Sequence, residues 1–314
     1  VAKTENSLEA QTLKQKKNKK KSVDEAPLTP REEWTEFGKT AVVAIVIALA
    51  IRSMVIEPFN IPSGSMKPTL EVGDYLFVSK PAYGYSKYSF PMGLAPIDGR
   101  VMMGDREPKQ GDVIVFKLPT NPRIDYIKRL VGMPGDQVQV KMGRLYINGK
   151  MVDREYVGPR FDQEGDRPPV KLEEYIETLP NGVKHSIYEE NDNGLLDNTE
   201  IFTVPEGHYF FMGDNRDNSQ DSRVESLVGF VPLENLVGRA DLIFYSTNGT
   251  ARLYEVWKWP WTIRYDRLFD LIGPKKEKEA IERNQAGDNA ASDASASGVS
   301  TLEAPEASRS QAGG

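Results

Sequence analysis

The chain has 314 residues, a net charge of −6, no cysteine and two histidines, His185 and His208. This composition excludes a thiol nucleophile, a disulfide framework and any cysteine-held zinc or iron–sulfur centre. The acidic balance argues against nucleic acid as a partner, and the lack of thiols is compatible with an oxidising compartment.

The chain starts at Val1, which reads as a processed or trimmed start. Residues 1–36 read as a basic, disordered cytoplasmic tail. Within it, Lys14 to Lys21 holds six lysines in eight positions. Alone, such a run is a solvated tail or a contact for anionic lipid or nucleic acid. It is followed by an uninterrupted apolar run at 41–51. Extended to Phe37 and Ile56, that run covers about 20 residues, or roughly 30 Å as a helix, the thickness of a bilayer core. Lys39 and Arg52 stand near its ends, where long side chains can snorkel. The long charged leader does not fit a secretory signal peptide. The pattern therefore predicts one transmembrane helix over 37–56, lysines inside and everything after it outside.

Pro58 and Pro62 stop the helix and enforce an extended path. Short apolar runs at 75–79, 112–117, 137–141 and 144–147 then read as strands, with Asn148-Gly149 as a hairpin turn. Residues 154–200 form a polar, acidic insert with a predicted hairpin, 171–178 against 183–188 around Asn181-Gly182. Further strands are expected at 201–204, 208–212 and 240–245. The fold class is mainly β: the membrane helix, then a mostly antiparallel, strongly bent or barrel-like sheet over 57–272 with a β-hairpin insert. Trp257, Trp259 and Trp261 fit either a membrane interface or core packing, and 273–314 reads as a disordered tail.

Three segments carry candidate chemistry. Pro62-Ser-Gly-Ser-Met-Lys-Pro-Thr-Leu70 is a small-residue turn between prolines, in which one serine can be a nucleophile and another a donor. A serine nucleophile needs a base. His185, in the insert, and His208, opening a strand, lack partner motifs and read as ordinary histidines. A buried lysine with its pKa lowered toward ~7–8 also serves as a base. Lys128 offers this, since alternation puts it on one face with Tyr126 and Leu130. The third segment, Met212-Gly-Asp-Asn-Arg-Asp-Asn-Ser-Gln-Asp-Ser-Arg223, reads as an Asx-rich loop with an ion-pair framework and not as a metal cage.

Taken in order after a membrane helix, these segments resemble bacterial type I signal peptidases, which are membrane-bound serine endopeptidases with a Ser–Lys dyad. The resemblance covers about 37–153 and 201–250; the insert and both tails lie outside it. It implies Ser65 as nucleophile, Lys128 as general base, Ser219 as the residue orienting the lysine, and Ser63 as an oxyanion-hole donor. Asp214, Arg216, Asp221 and Arg223 match a supporting ionic framework. Phe59, Ile61, Leu70, Tyr126 and Ile127 match residues lining shallow pockets for small side chains. Lys67 receives no catalytic role. The implied partners are signal peptides of exported preproteins and the phospholipid bilayer of the bacterial inner membrane, near the translocon, with no cofactor and no metal. A self-cleaving repressor protease with a Ser–Lys dyad is disfavoured by the membrane helix and the 213–223 loop. A catalytically dead binding module is disfavoured by Ser65, Lys128 and Ser219 occurring together.

Overall fold

The computed structural model describes residues 29–89, 99–101, 107–163, 168–251 and 254–273. The lysine run at 14–21 and the expected tail beyond Gly273 lie outside the described residues. Two compact units divide at Ile51 and Arg52.

The first unit is carried by helix α1 (Pro30–Met54). It starts ahead of the expected 37, with proline at the first helical position, where a missing N–H costs nothing. Val42, Val43, Ile45, Val46, Ile47 and Leu49 are all exposed. Among the described residues, no helix is long and apolar enough to cross a membrane. The uninterrupted apolar run is only 41–51, about 16 Å of helix against a hydrocarbon core of ~30 Å.

The second unit is β-rich. Its strands begin with β1 (Ile56–Asn60), β2 (Asp74–Ser79), β3 (Tyr85–Ser86), β4 (Arg100–Val101), β5 (Val113–Leu118), β6 (Asn121–Gly132), β7 (Gln137–Lys141), β8 (Arg144–Ile147) and β9 (Lys150–Met151). They continue with β10 (Asp153–Asp162), β11 (Val170–Thr178), β12 (Lys184–Glu189), β13 (Phe202–Thr203), β14 (His208–Met212), β15 (Val231–Pro232), β16 (Leu236–Ser246) and β17 (Asp270–Leu271). The main sheet runs β1-β2-β16-β5-β6-β14-β15, with β17 added to β16. All its pairings are antiparallel.

This sheet is bulged but open, which corrects the barrel-like expectation. Its two end strands, β1 and β15, contain Pro58 and Pro232. A proline offers no N–H to a further neighbour and so suits an edge. Both faces of the central strands are buried. On β5, Ile114, Phe116 and Leu118 enter one core cluster, while Val113 and Val115 enter another. On β14, Tyr209 and Phe211 face the first cluster, and Phe210 and Met212 face a third built on β7 and β8. Alternate residues point to opposite faces, so a strand apolar on both parities needs cover on both sides.

The strand expectations hold closely, β7, β8 and β14 matching their residues. Asn148 and Gly149 both have positive φ, 53° and 74°, as a two-residue hairpin turn between β8 and β9 requires. The predicted insert hairpin is present as β11 and β12, but a third strand, β10, joins it in the order β10-β11-β12. The tryptophans divide: Trp257 and Trp261 are 64% and 80% exposed, whereas Trp259 packs on Tyr245 with ring centroids 5.1 Å apart.

Candidate active site

Ser65 sits in a 3-10 turn, Gly64–Met66, that follows edge strand β1. Met66 and Leu70 are fully buried and root the turn in the core. The turn is tightened by Lys67 N–H donating to Gly64 O at 3.1 Å and Leu70 N–H to Met66 O at 2.9 Å. Across from it, β6 carries Lys128, paired with Ile114 of β5. Tyr126, Lys128 and Leu130 share a parity. Leu130 belongs to the core cluster that also holds Ile114, and Tyr126 packs against it.

The two segments meet where Lys128 reaches Ser65, and again where Arg129 Nη2 donates to Thr69 Oγ1 at 3.1 Å. Lys128 Nζ lies 2.8 Å from Ser65 Oγ and also donates to the Ile127 carbonyl at 2.8 Å. Lys128 is 4% exposed. Burial lowers its pKa to about 8, with Asp221 and Asp214 pulling weakly the other way. A buried ammonium loses its hydration, so the neutral amine is favoured. An amine that is about half neutral near pH 8 and touches a serine hydroxyl can accept that hydroxyl's proton.

Ser63, exposed, places its Oγ 3.4 Å from Ser65 Oγ. Ser219 is buried, and its Oγ stands near Asp221, where it helps to hold that carboxyl down. It is held beside the dyad by close packing. A Cβ on Gly213 would stand 2.5 Å from both Ser219 Cβ and the Ser65 carbonyl oxygen, and closer still to Ser219 Oγ. Only glycine admits this approach. Ser63, Ser65, Tyr126, Ile127, Lys128 and Ser219 all line one open cleft of about 730 Å³, with Leu195 and Leu196 of the insert on its rim. Phe59, Ile61 and Leu70 do not line it. Ile61 and Leu70 belong to a core cluster, and Phe59 packs against that cluster.

The ionic framework is present, with partners from elsewhere in the chain. Asp214 accepts from Arg129 Nε and Nη2 at 2.9 and 2.8 Å and from Thr69 Oγ1 at 2.6 Å. Arg216 pairs with Glu177 of β11, Nη1 to Oε1 at 3.0 Å. Arg223 donates to Asp221 Oδ1 at 2.9 Å and to the Arg216 carbonyl at 2.6 Å. Burial pushes the Asp214 and Asp221 carboxyls up, but Arg129 with Thr69 at the first, and Arg223 with the Gly213 N–H at the second, act together to hold both below the usual range.

Sequence reasoning missed Arg129, Thr69, Glu177 and Asn215. Asn215 clamps the nucleophile turn, its N–H donating to Ser65 O and its Nδ2 to Gly64 O, each at 3.1 Å. Its place inside the Asx-rich loop was the available signal. The insert also proves to be part of the site. Tyr188 N–H donates to Asp214 O, and Arg216 N–H to Tyr188 O, at 2.9 Å each. Lys67, buried, bonds Asp162 of β10 at 2.6 and 2.8 Å. His185 is fully buried, its Nε2 3.3 Å from Glu177 Oε2. His208 Nδ1 lies 3.0 Å from the Glu206 carbonyl. Neither histidine lines the cleft.

A family model described as signal peptidase, peptidase S26, matches residues 34–245. The chain is 42% identical over 259 residues to signal peptidase I of Rickettsia conorii (strain ATCC VR-613 / Malish 7), covering 77% of this chain and 92% of that relative. Against signal peptidase I of Rickettsia typhi (strain ATCC VR-144 / Wilmington) it is 40% identical over 258 residues, covering 77% and 93%. A solved structure of a signal peptidase I from Enterococcus faecalis V583 is 28% identical, with a TM-score of 0.26, covering 42% of this chain and 96% of that one. With the family model spanning most of the second unit and such relatives matched over nearly their whole length, the chain belongs to the signal peptidase family, peptidase S26, and is a serine endopeptidase.

Proposed function

We propose that this endopeptidase removes N-terminal signal peptides from exported preproteins through a Ser65–Lys128 dyad, cleaving after small residues. The observation that carries this is the 2.8 Å contact between a buried Lys128 amine and the Ser65 hydroxyl. Neutral Lys128 takes the Ser65 proton as Oγ attacks the scissile carbonyl, and then delivers it to the leaving amine. Water, activated by the same amine, releases the acyl group. Ser63 Oγ and the Ser65 N–H are the donors proposed for the oxyanion, each typically worth about 3–4 kcal/mol. Ser219 orients the lysine, and its burial on the wall of the same cleft as Lys128 and Ser65 supports that role.

The substrate binds extended, its main chain pairing with strand edges at the cleft. Tyr126 and Ile127 form the apolar wall that selects small side chains. Phe59, Ile61 and Leu70 act from behind, by fixing the Ser65 turn.

Attachment to the inner membrane is assigned to the apolar stretch of α1. Its exposed apolar residues support this, with Lys39 and Arg52 snorkelling at the ends. Exposed Trp257 and Trp261 supply a further lipid contact. Carbonate extraction of membranes carrying the full chain tests attachment; release into the soluble fraction overturns it.

The deciding experiment is cleavage of a purified preprotein by the detergent-solubilised chain. Ser65→Ala and Lys128→Ala should each lose nearly all activity while His208→Ala retains it. Wild-type turnover by Lys128→Ala ends the dyad mechanism.

A further inference from the structure

Strand β12 ends at Glu189, and the chain then turns through 190–197 toward the cleft rim. Glu189 and Asp197 are 2% and 1% exposed. Carboxylate oxygens of Glu189, Asp197 and Asp217 lie within 4.8 Å of one another. Two of the three are held by backbone donors: Asp197 Oδ2 accepts from Gly194 N–H at 2.6 Å, and Asp217 Oδ2 from Glu190 and Asn191 N–H at 2.7 and 3.2 Å. Glu189 is different. Its Oε1 faces Arg154 Nη1 at 3.6 Å, and its Oε2 is buried without any hydrogen-bond partner.

Nearby cations do not offset this charge. Arg154 is shared with Asp192, which accepts from its Nη2 at 2.8 Å. Arg216 and Arg223 are committed to Glu177 and Asp221. A buried carboxylate with an idle oxygen, facing two others, is a position that a bound cation satisfies.

We propose that Glu189, Asp197 and Asp217 form a site for a hard divalent cation of the calcium class. The donor set is oxygen only, with no imidazole or thiolate, which disfavours zinc and copper and suits calcium. The sequence supports the class. Counting from Glu189, Asn191, Asn193, Gly194, Asp197 and Glu200 fall at the third, fifth, sixth, ninth and twelfth places, the order of a twelve-residue calcium loop. This loop departs from that pattern in space: Asn191 Oδ1 is taken by Asn193 N–H at 2.9 Å, and Glu200 is exposed. Asp217, from the segment that carries Ser219, completes the set instead. Gly194 lets the loop close on it, since a Cβ there would stand 2.6 Å from Asp217 Oδ1 and 3.0 Å from Asp197 Oδ2. A cation here ties the loop bearing Leu195 and Leu196 to Asp217, and all three residues line the cleft.

The test is calcium binding to the chelator-stripped full chain in detergent, by titration calorimetry, which needs no catalytic activity. We expect one saturable site with a Kd on the order of 0.1–1 mM, weaker binding of magnesium, and a calcium-dependent rise in melting temperature. Asp197→Asn should weaken calcium binding at least about tenfold, while Glu190→Gln, on an exposed neighbour, leaves it unchanged. If Asp197→Asn does not fold, terbium luminescence of the wild type displaced by calcium gives the same reading. No saturable calcium binding up to about 10 mM, tighter binding of zinc than calcium, or unchanged affinity in Asp197→Asn overturns the proposal.

Discussion

Arg216 Nη1 donates to Glu177 Oε1 at 3.0 Å, and both side chains are almost completely buried. The bond joins the loop that carries Ser219 to the middle strand of the insert. Removing one partner leaves the other charge uncompensated, so Glu177→Ala should cost about 3–5 kcal/mol. Glu177→Gln should cost less, because it keeps hydrogen bonds to Arg216. Burial raises the Glu177 carboxyl, but Arg216 and His185 outweigh it and hold it well below the usual range. Asp214 and Asp221 are depressed likewise. Between the ordinary carboxylate pKa of ~4 and these lower folded values, the unfolded chain binds more protons. The stabilisation is complete above that window and is lost as pH falls through it. Urea unfolding of the catalytic domain at a series of acidic pH values measures the loss directly.

Activity should follow the deprotonation of one group. With Lys128 lowered to about 8, kcat/KM for a preprotein should rise with pH, reach half its plateau near pH 8 and stay level above. His208→Ala should leave the midpoint in place. A midpoint near 6.5 that moves in a histidine variant would assign the base elsewhere.

The same lysine should weaken the fold it serves. An unfolded lysine titrates near ~10.4, so between about 8 and that value the unfolded chain holds a proton that the folded one does not. The strain is fully present below about pH 8 and fades as pH rises through the window. Lys128→Met, similar in shape and uncharged, should abolish activity yet raise stability at pH 7 by about 1–3 kcal/mol. The gain should shrink toward zero near pH 10. Denaturant midpoints at the two pH values check both statements.

Position 213 should accept nothing larger than glycine. Gly213→Ala drives a methyl group into Ser219 and the Ser65 carbonyl, and should reduce kcat by at least about 100-fold.

Asn215→Ala loosens the Ser65 turn by removing one clamp bond. It should lower kcat by about ten- to a hundredfold, with about 1–2 kcal/mol of destabilisation. Steady-state kinetics together with a melting curve separate the two effects.

Much of this site was legible because its chemistry is carried by short segments. The Pro62–Leu70 turn, the parity of Tyr126, Lys128 and Leu130, and the 213–223 loop each state their chemistry locally. What was hidden depends on distance along the chain. Nothing near Asp214 names Arg129 as its partner, and nothing near Arg216 names Glu177. Strand β10 escaped because it is mostly exposed, contains Gly158 and Pro159, and bulges between Tyr156 and Gly158. It therefore shows neither alternation nor an apolar run. The roles of Phe59, Ile61 and Leu70 were ambiguous for the opposite reason, since an apolar side chain reads the same in a core and on a cleft wall. The start of α1 was in plain sight in Thr29-Pro30-Arg31-Glu32, a threonine followed by proline and then by an acid.

The bond from Lys67 to Asp162 bears on any attempt to make a smaller enzyme. Judged by sequence, residues 154–200 are a polar insert outside the segments that carry the family resemblance. Cutting them out would delete Glu177, the carboxylate paired with Arg216, together with Asp162, leaving Lys67 only the more distant Glu71 at 4.0 Å. A trimmed catalytic domain must therefore neutralise positions 67 and 216 in the same step, or keep all three strands of the insert.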